Sequence, residues 1–426
     1  MTSLHSSQAC GTEARSLADW LEHLSVLHPK NIELGLERVA LVYRQLKLDF
    51  SACTVVTVAG TNGKGTTCVM LEQACLLAGK SVAVYSSPHL LDYRERVTVN
   101  ASMLDEAAHC QAFAKVEQAR GDAALTYFEF GTLAALQLMH DAKVDVLLLE
   151  VGLGGRLDAV NVLDPDIAVI TSIDLDHQEW LGTNKEQIAR EKAGIFRAKG
   201  VAVIGEPQPL QALIEAVAAL DVQASWQAKD FHFKRTENGF DWCNHQIQLR
   251  NLPFPHIPLQ NASTALQVMQ LLKLDLAEPQ LANVIARSRL PGRQQLLQSA
   301  PDVLLDVAHN PHAARYLVSE IANRNFQDIF LVTGMLKDKD IASTLESFYP
   351  LNVTWLLGTL DVPRGASAGD LKTVIAQGQK VLEFTSISQA YQHALDSAGK
   401  QDLIVVFGSF FTVAEVLKLN QALRVK

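Results

Sequence analysis

The sequence predicts an α/β protein with two domains, because two patterns recur along its 426 residues. Short apolar, β-branched runs are separated by segments of helical periodicity, which is typical of a mostly parallel sheet with helices on both faces. Alternating apolar residues on both sides of Asn238-Gly239 predict a small antiparallel hairpin. The Leu-Pro-Gly-Arg segment at 290–293 is the strongest boundary signal. We therefore expect one domain at 1–292 and a second at 293–426.

The elements of the first domain follow from this alternation. Apolar residues recur at helical spacing over 16–48, and further helices are expected near 104–119 and 129–141. The expected strands are 54–59, 81–85, 144–150 and 167–173. Parallel strands end on the same edge of a sheet, where ligands bind. The loops that should meet at that edge are 60–66, 86–89, 150–158 and 174–177.

The second domain repeats the pattern on a smaller scale. Its strand-like runs, with helical segments between them, are 303–307, 329–332, 353–357 and 403–407. About 130 residues are enough for one core of ordinary size. We expect a Rossmann-like α/β domain here, with 306 at the end of its first strand.

A glycine-rich loop, Gly-Thr-Asn-Gly-Lys-Gly-Thr, follows the first strand at 60–66. Its glycines let backbone N–H groups surround phosphate oxygens, the next helix adds its positive dipole end, and Lys64 can reach the terminal phosphates. An ordinary glycine-rich turn is the alternative, but it does not explain the lysine between a strand and a helix. The loop predicts a P-loop-type domain that binds a nucleoside triphosphate. Two departures from the usual pattern are Val58, where the first glycine is expected, and Gly65, which replaces a serine or threonine.

Two further strand ends carry possible metal ligands. Glu150 ends a buried strand and precedes the glycine-rich segment 151–158, so its carboxylate is placed to hold Mg²⁺. A dinucleotide fingerprint is excluded because Leu157 stands where its last glycine is required; a plain tight turn stays open. His177 follows Asp176 after the next strand and could bind metal or orient water, although a single histidine is more often structural.

Three other segments are ambiguous from their residues alone. Lys192 lies near the end of a charged helix followed by Gly194, which is typical of a solvated helix end. Residues 306–311, Asp-Val-Ala-His-Asn-Pro, resemble a ligand-contacting loop, although Asn-Pro also starts helices. Ser409 follows Gly408 at the end of the last strand, where a polar substrate could reach backbone N–H groups.

Bulk properties limit the partners. A net charge of −9 disfavours nucleic-acid binding. The six cysteines form no CxxC pair, which favours free thiols in a reducing cytoplasm. The first residues lack the basic and apolar regions of a signal peptide, and no apolar run is long enough for a membrane span. We expect a cytoplasmic monomer.

Taken together, the motifs resemble those of the folylpolyglutamate synthase family in the Mur ligase superfamily, and most closely its bacterial bifunctional members with dihydrofolate synthase activity. The resemblance extends from about Leu17 to about Val416, with all motifs in the same order. The segments that carry it are 34–38, 59–66, 87–89, 150–158, 176–177, 191–195, 290–293 and 306–311.

The resemblance implies a role for each matching position. ATP contacts are implied for Thr61, Asn62, Gly63, Lys64, Gly65, Thr66, Asn261, Arg293 and Asp306. Contacts with the pteroate are implied for Thr126, Tyr127, Phe128, Glu129, Leu157, Asp158 and Ala159, and contacts with glutamate or nucleotide for His309 and Ser409. Ligands of two Mg²⁺ ions are implied for Ser87, Glu150, His177 and Lys192, the last through a carbamate derived from CO₂. Lys64, Lys192 and His309 are the implied catalytic residues, and the Ser87 hydroxyl replaces the one missing at Gly65.

The implied reaction is the ATP-dependent addition of L-glutamate to dihydropteroate and to reduced folates through an acyl phosphate. Folylpolyglutamate synthesis alone, or a Mur-type ligation on another carboxylate, stays open. A ligase for UDP-sugar peptides is disfavoured because only about 50 residues precede the first strand, too few for a UDP-binding domain. A guanine-nucleotide switch is disfavoured because 184–187, Asn-Lys-Glu-Gln, lacks the aspartate that recognises guanine.

Overall fold

The computed structural model describes residues 15–30, 32–322 and 324–424. Eight strands form the largest sheet, in the spatial order β4-β3-β2-β5-β1-β6-β7-β8. They are β1 (Thr54–Ala59), β2 (Val82–Tyr85), β3 (Val97–Val99), β4 (Ser102–Met103), β5 (Val146–Glu150), β6 (Ile167–Ile170), β7 (Val201–Ile204) and β8 (Gln223–Trp226). Neighbouring strands from β2 to β8 pair in parallel, whereas β3 and β4 form an antiparallel edge. The predicted mostly parallel sheet is confirmed.

Helices cover both faces of this sheet, as the buried central strands require. They are α1 (Leu17–Val26), α2 (Glu37–Leu46), α3 (Lys64–Leu77), α4 (Glu106–Arg120), α5 (Tyr127–Ala142), α6 (Gln178–Leu181), α7 (Lys185–Ala193), α8 (Gln211–Ala219), α9 (Leu259–Leu271) and α10 (Glu278–Arg287). Two short 3₁₀ helices lie at Tyr93–Arg96 and Ala159–Val162. One apolar cluster joins α1, α2, α4 and α5 to one face, and a second joins α3, α9 and α10 to the other.

The predicted hairpin is confirmed and belongs to a three-stranded antiparallel sheet. Its strands are β9 (Phe231–Arg235), β10 (Phe240–Asn244) and β11 (Gln248–Leu252), with β10 in the centre. Trp242 packs against α9, and its indole nitrogen donates a hydrogen bond to Ser263 Oγ at 3.1 Å. We call the eight-stranded and three-stranded sheets with their helices the large lobe.

A six-stranded sheet forms the small lobe, in the order β12-β13-β17-β14-β15-β16. Its strands are β12 (Gln295–Gln298), β13 (Asp302–Asp306), β14 (Ile329–Thr333), β15 (Val353–Gly358), β16 (Lys380–Phe384) and β17 (Leu403–Phe407). Its helices are α11 (Pro311–Ala322), α12 (Ile341–Glu346), α13 (Ala368–Lys372), α14 (Ile387–Ser397) and α15 (Phe410–Arg424). The sheet is mixed, since β12 runs antiparallel to β13. The prediction that residue 306 ends the first strand of this region is wrong, because β12 precedes it; the boundary at 292–293 stays a prediction.

Two bulk expectations can be compared with the described residues. Cys53, Cys68, Cys75, Cys110 and Cys243 are free thiols. None of the helices in the described ranges combines the length and apolarity needed to cross a bilayer.

Candidate active site

A cavity of about 1360 Å³ lies between the lobes, at the carboxyl ends of β1, β2, β5 and β6. The four loops predicted to meet at this edge all contribute to its wall, so that expectation is confirmed. Most of the predicted site residues line it: Thr61, Asn62, Gly63, Lys64, Gly65, Thr66, Ser87, Thr126, Phe128, Glu129, Glu150, Leu157, Asp158, Ala159, His177, Lys192, Arg293, His309 and Ser409. Tyr127, Asn261 and Asp306 do not line it.

The glycine-rich loop at 60–66 is held by short-range contacts that fix its shape. Gly63 has a φ of 89°, and a side chain there would collide with Asn261. The Asn261 amide donates to Thr66 Oγ1 at 3.0 Å, so Asn261 braces the loop from α9. Lys64 Nζ donates to the carbonyl oxygens of Gly60 at 3.1 Å and Thr61 at 3.3 Å. The lysine is therefore poised beside the loop, and its burial lowers its pKa against the opposing charges of Glu150 and Asp176.

The limited space at position 65 explains why glycine follows Lys64. A Cβ atom at Gly65 would lie 3.3 Å from Glu150 Oε2 and 3.1 Å from Leu290 Cδ2. A serine or threonine would press on the carboxylate, whereas glycine lets it approach the loop. Burial raises the pKa of Glu150, while the charges of Lys64 and Arg293 and the backbone N–H groups of Ser87 and Gly65 favour its ionised form.

His177 has the chemistry of a neutral metal ligand. It adopts a left-handed backbone with a φ of 50°, and burial, helped by the charge of Lys339, lowers its pKa to about 4 against the pull of Asp176. A neutral imidazole keeps a lone pair for a cation. Across the described ranges, no three His, Cys, Asp or Glu side chains converge as a metal cluster. The predicted set includes a serine hydroxyl and a modified lysine, so only Glu150 and His177 belong to these four types.

Lys192 is buried, so its interpretation as part of a solvated helix end is wrong. Only 4% of the residue is exposed, and its Nζ donates to the Gly60 carbonyl oxygen at 3.0 Å. Burial, reinforced by the positive charge of Lys64, lowers its pKa to about 7. Close to neutral pH a large share of this amine is therefore unprotonated and able to act as a nucleophile.

Arg293 and Asp306 carry opposite charges beside this site, and each charge affects the pKa of the other group. Burial lowers the pKa of Arg293 and raises that of Asp306, and each charge opposes the shift of the other. The Asp306 carboxylate accepts backbone hydrogen bonds from Gln294 at 3.0 Å and Ala308 at 2.8 Å. The Arg293 guanidinium also lies 5.4 Å from the centre of the Phe410 ring. Asp306 thus shapes the loop that carries Arg293, and Arg293 is the member of the pair that faces the cavity.

Some residues predicted to touch the pteroate also hold the local fold. Thr126 and Glu129 form a capping box at the start of α5, and Arg38 donates to Glu129 Oε2 at 2.9 Å. The Asp158 carboxylate accepts the backbone N–H groups of Leu153 at 2.7 Å and Val160 at 3.0 Å, and burial raises its pKa to about 6. These carboxylates therefore hold the backbone of this part of the cavity wall in place.

Phe128 and Tyr127 point to different environments. The Phe128 ring covers Gly152, where any side chain would collide with the ring. The Tyr127 ring instead packs against Tyr93, with centroids 6.2 Å apart, and against the Arg96 guanidinium at 5.7 Å. Phe128 therefore supplies an aromatic surface of the cavity, whereas Tyr127 supports it from behind.

Other polar side chains of the cavity wall were not predicted from the sequence. Arg96 is buried and donates from Nε to His89 Nδ1 at 2.9 Å; burial and this positive charge lower the pKa of His89 to about 4. His89 belongs to the Ser-Pro-His motif at 87–89, which was a usable signal. Lys339 lies in the small lobe without a comparable local motif.

Comparison with known proteins places this geometry in a family. Dihydrofolate synthase/folylpolyglutamate synthase from Escherichia coli is 45% identical over 412 residues, which covers 96% of this chain and 97% of the relative. The chain belongs to the dihydrofolate synthase/folylpolyglutamate synthase family. In agreement, the Mur ligase middle domain matches residues 58–266 and the Mur ligase glutamate ligase domain matches residues 292–410.

Solved structures of this family share the whole fold. E. coli FolC in complex with DHPP and ADP is 45% identical, has a TM-score of 0.93, and the match covers 96% of this chain and 99% of that one. A bifunctional folylpolyglutamate synthase/dihydrofolate synthase with Mn, AMPPNP and L-glutamate bound is 48% identical, with a TM-score of 0.90 over 96% and 98% of the two chains. The chain is thus an ATP-dependent ligase of the Mur class, as the motifs predicted.

Proposed function

We propose that this chain adds L-glutamate to dihydropteroate and to reduced folates, with ATP as the energy source. One observation carries the proposal: a single cavity joins the Lys64 loop, the buried Lys192 amine and the aromatic pocket of Phe128. ATP and a carboxylate-bearing pteridine can therefore occupy the same cavity. The relatives with DHPP, ADP and L-glutamate in their structures support this choice of substrates.

The first step requires two anions to approach each other. The substrate carboxylate attacks the γ-phosphate of ATP, and ADP leaves from an acyl phosphate. Lys64 and Arg293 offset the repulsion from opposite lobes, in the manner of other phosphoryl-transfer sites. To bind the terminal phosphates, Lys64 would exchange its hydrogen bonds to the carbonyl oxygens of Gly60 and Thr61 for contacts with phosphate oxygens.

Ser87, Glu150 and His177 are proposed to hold Mg²⁺, which supplies further positive charge to the phosphates when it is bound. The buried carboxylate of Glu150 and the neutral imidazole of His177 suit that role. Lys192 is proposed to react with CO₂: its amine nitrogen attacks the carbon, a proton leaves, and the resulting carbamate helps to hold a second ion. Its buried amine, with a pKa of about 7, favours this reaction.

The second step forms the amide. The α-amine of L-glutamate attacks the acyl carbon, the bond between that carbon and the bridging oxygen breaks, and phosphate leaves. His309 and Ser409, both in the cavity wall, are proposed to contact glutamate or nucleotide from the small lobe. Enclosure between the lobes protects the acyl phosphate from water.

Phosphate release distinguishes the alternatives. We would measure it with ATP, L-glutamate and one acceptor at a time: dihydropteroate, tetrahydrofolate or a UDP-muramyl peptide. Release with both pteridines is expected. Release with tetrahydrofolate alone would reduce the function to polyglutamate synthesis, and release with only the peptide would overturn the folate assignment. A monomeric state and a cytoplasmic location stay predictions.

A further inference from the structure

Lys339 is a buried cation that the small lobe extends toward the large lobe. Its side chain is 8% exposed, and its Nζ lies 2.7 Å from Asp176 Oδ1 and 3.4 Å from His177 Nε2. By contrast, Lys337, two residues earlier in the same loop, is 61% exposed and pairs with Asp370 at 3.6 Å. The two lysines share one loop but have different environments.

The Asp176 carboxylate contacts residues of both lobes. Its Oδ2 accepts from Asn310 Nδ2 at 3.0 Å and lies 3.5 Å from His309 Nε2, while its Oδ1 accepts the backbone N–H of His177 at 2.8 Å. Both oxygens of the Asp176 carboxylate are therefore bound, one by Lys339 and the other by Asn310.

Asn310 connects the Asp176 carboxylate to the glycine-rich loop at 60–66. Its Nδ2 also donates to Asn62 Oδ1 at 3.1 Å, and Asn62 Nδ2 donates back to Asn310 Oδ1 at 3.2 Å. We call Lys339, Asp176, Asn310 and Asn62 the interlobe cluster. It connects the small lobe with two loops of the large lobe that belong to the proposed ATP and Mg²⁺ site.

We propose that Lys339 is a positioning residue that holds Asp176 and thereby sets the nucleotide loop and His177 when the small lobe docks. The proposal rests on the proposed function, because it assigns Lys339 a role in that reaction. Asp176 binds the backbone N–H of His177 and so supports its left-handed conformation, which aims the imidazole.

The ion pair between Lys339 and Asp176 explains why docking of the small lobe should affect the position of Asp176. A buried carboxylate is stable only with its partner, and removing the cation leaves it uncompensated. If the lobes separated, both groups would be exposed to water; in the arrangement described here, the small lobe holds Asp176. Small displacements at such a site cost much in rate, so Lys339 should act on turnover more than on substrate binding.

The test compares Lys339→Met with Lys337→Met in the full-length protein. We expect Lys339→Met to lower kcat for phosphate release by about 100-fold with KM for dihydropteroate nearly unchanged, as a displacement of about 1 Å would. Lys337→Met should retain wild-type kcat. A Lys339→Met enzyme with wild-type kcat, or one affected only in KM for dihydropteroate, would overturn the proposal.

A double-mutant cycle separates positioning from general stabilisation. If Lys339 acts through Asp176, Lys339→Met combined with Asp176→Asn should have about the kcat of the worse single variant. Additive losses would show that the two residues act independently and would refute the coupling. Rescue by Lys339→Arg, which keeps the cation, is expected to be partial.

Hydrogen exchange gives a readout that does not require turnover. With a non-hydrolysable ATP analogue and Mg²⁺, amides of 60–66 and 174–177 should be protected in the wild type and in Lys337→Met. That protection should fall in Lys339→Met. Equal protection in all three proteins would contradict the proposal even if the substrates were misassigned. If Lys339→Met does not fold, Lys339→Gln and Asn310→Ala are expected to show the same loss of protection.

Discussion

Replacing Lys192 should make the protein more stable and inactive at once. Burial lowers the pKa of this lysine from 10.5 to about 7, so folding at neutral pH forces a normally charged amine into an unfavourable environment. Lys192→Met removes the ionisable group and keeps most of the aliphatic volume. The same substitution removes the amine proposed to carry a carbamate.

The magnitude follows from the two pKa values. At about 1.36 kcal/mol per pH unit, the gap between 10.5 and about 7 corresponds to about 5 kcal/mol as an upper limit. Local relaxation and water entry reduce such values, so we expect Lys192→Met to raise the free energy of unfolding by about 1–3 kcal/mol at pH 7. In turn, phosphate release should fall to the background rate.

The pH dependence has a defined sign. Between pH 7 and 10.5 the unfolded state holds a proton on Lys192 that the folded state has lost, so this group makes stability rise with pH. From pH 7 to pH 9, the wild type should gain about 1–2 kcal/mol relative to Lys192→Met, because the same relaxation also reduces this pH dependence. Comparing the two proteins cancels the titration of the other groups.

The assay is chemical denaturation at pH 7 and pH 9 in buffers freed of CO₂, without nucleotide. A Lys192→Met protein that is less stable than the wild type at pH 7, or a stability difference that does not change with pH, would refute the electrostatic reasoning.

For activity, short carboxylates should partly restore turnover in Lys192→Ala, because they can replace the carbamate. Wild-type turnover in that variant would end the carbamate proposal.

Three further substitutions test the phosphate and metal site. Lys64→Ala should lower phosphate release by at least about 100-fold with unchanged circular dichroism, and unchanged turnover would remove Lys64 from the site. Glu150→Gln should sharply raise the Mg²⁺ concentration needed for half-maximal activity, whereas an unaltered Mg²⁺ titration would exclude a metal role. Gly65→Ala should also raise this concentration, by about 10-fold, because its Cβ atom would lie 3.3 Å from Glu150 Oε2; a normal titration would show that the carboxylate has room to move.

The sequence was sufficient where apolar runs are long and fully buried. The strands expected at 54–59 and 403–407 are β1 (Thr54–Ala59) and β17 (Leu403–Phe407) without adjustment. By contrast, β16 (Lys380–Phe384) lies at a sheet edge with mixed charged and apolar residues, so periodicity gave no signal. The short strands β7 (Val201–Ile204) and β8 (Gln223–Trp226) were missed, and β8 is likewise an edge strand.

The candidate site likewise has features that the sequence predicts and features that only tertiary packing determines. Loops that follow parallel strands could be brought together from sequence, because strand direction alone decides which edge they share. Burial of Lys192 could not be predicted from its charged helix, since it results from packing against the Gly60 loop. The contact of Lys339 with Asp176 joins residues 163 positions apart in different lobes, and no local pattern marks such a pair.

Transfer of oxygen from substrate to phosphate tests the central claim most directly. Dihydropteroate with isotopically heavy oxygen in its carboxylate would be incubated with the enzyme, ATP, Mg²⁺ and L-glutamate, and the released phosphate analysed by mass spectrometry. We expect one heavy oxygen in each phosphate, because the carboxylate oxygen becomes the bridging oxygen of the acyl phosphate and leaves with phosphorus. Phosphate without heavy oxygen would contradict attack by the carboxylate and with it the proposed function of the cavity.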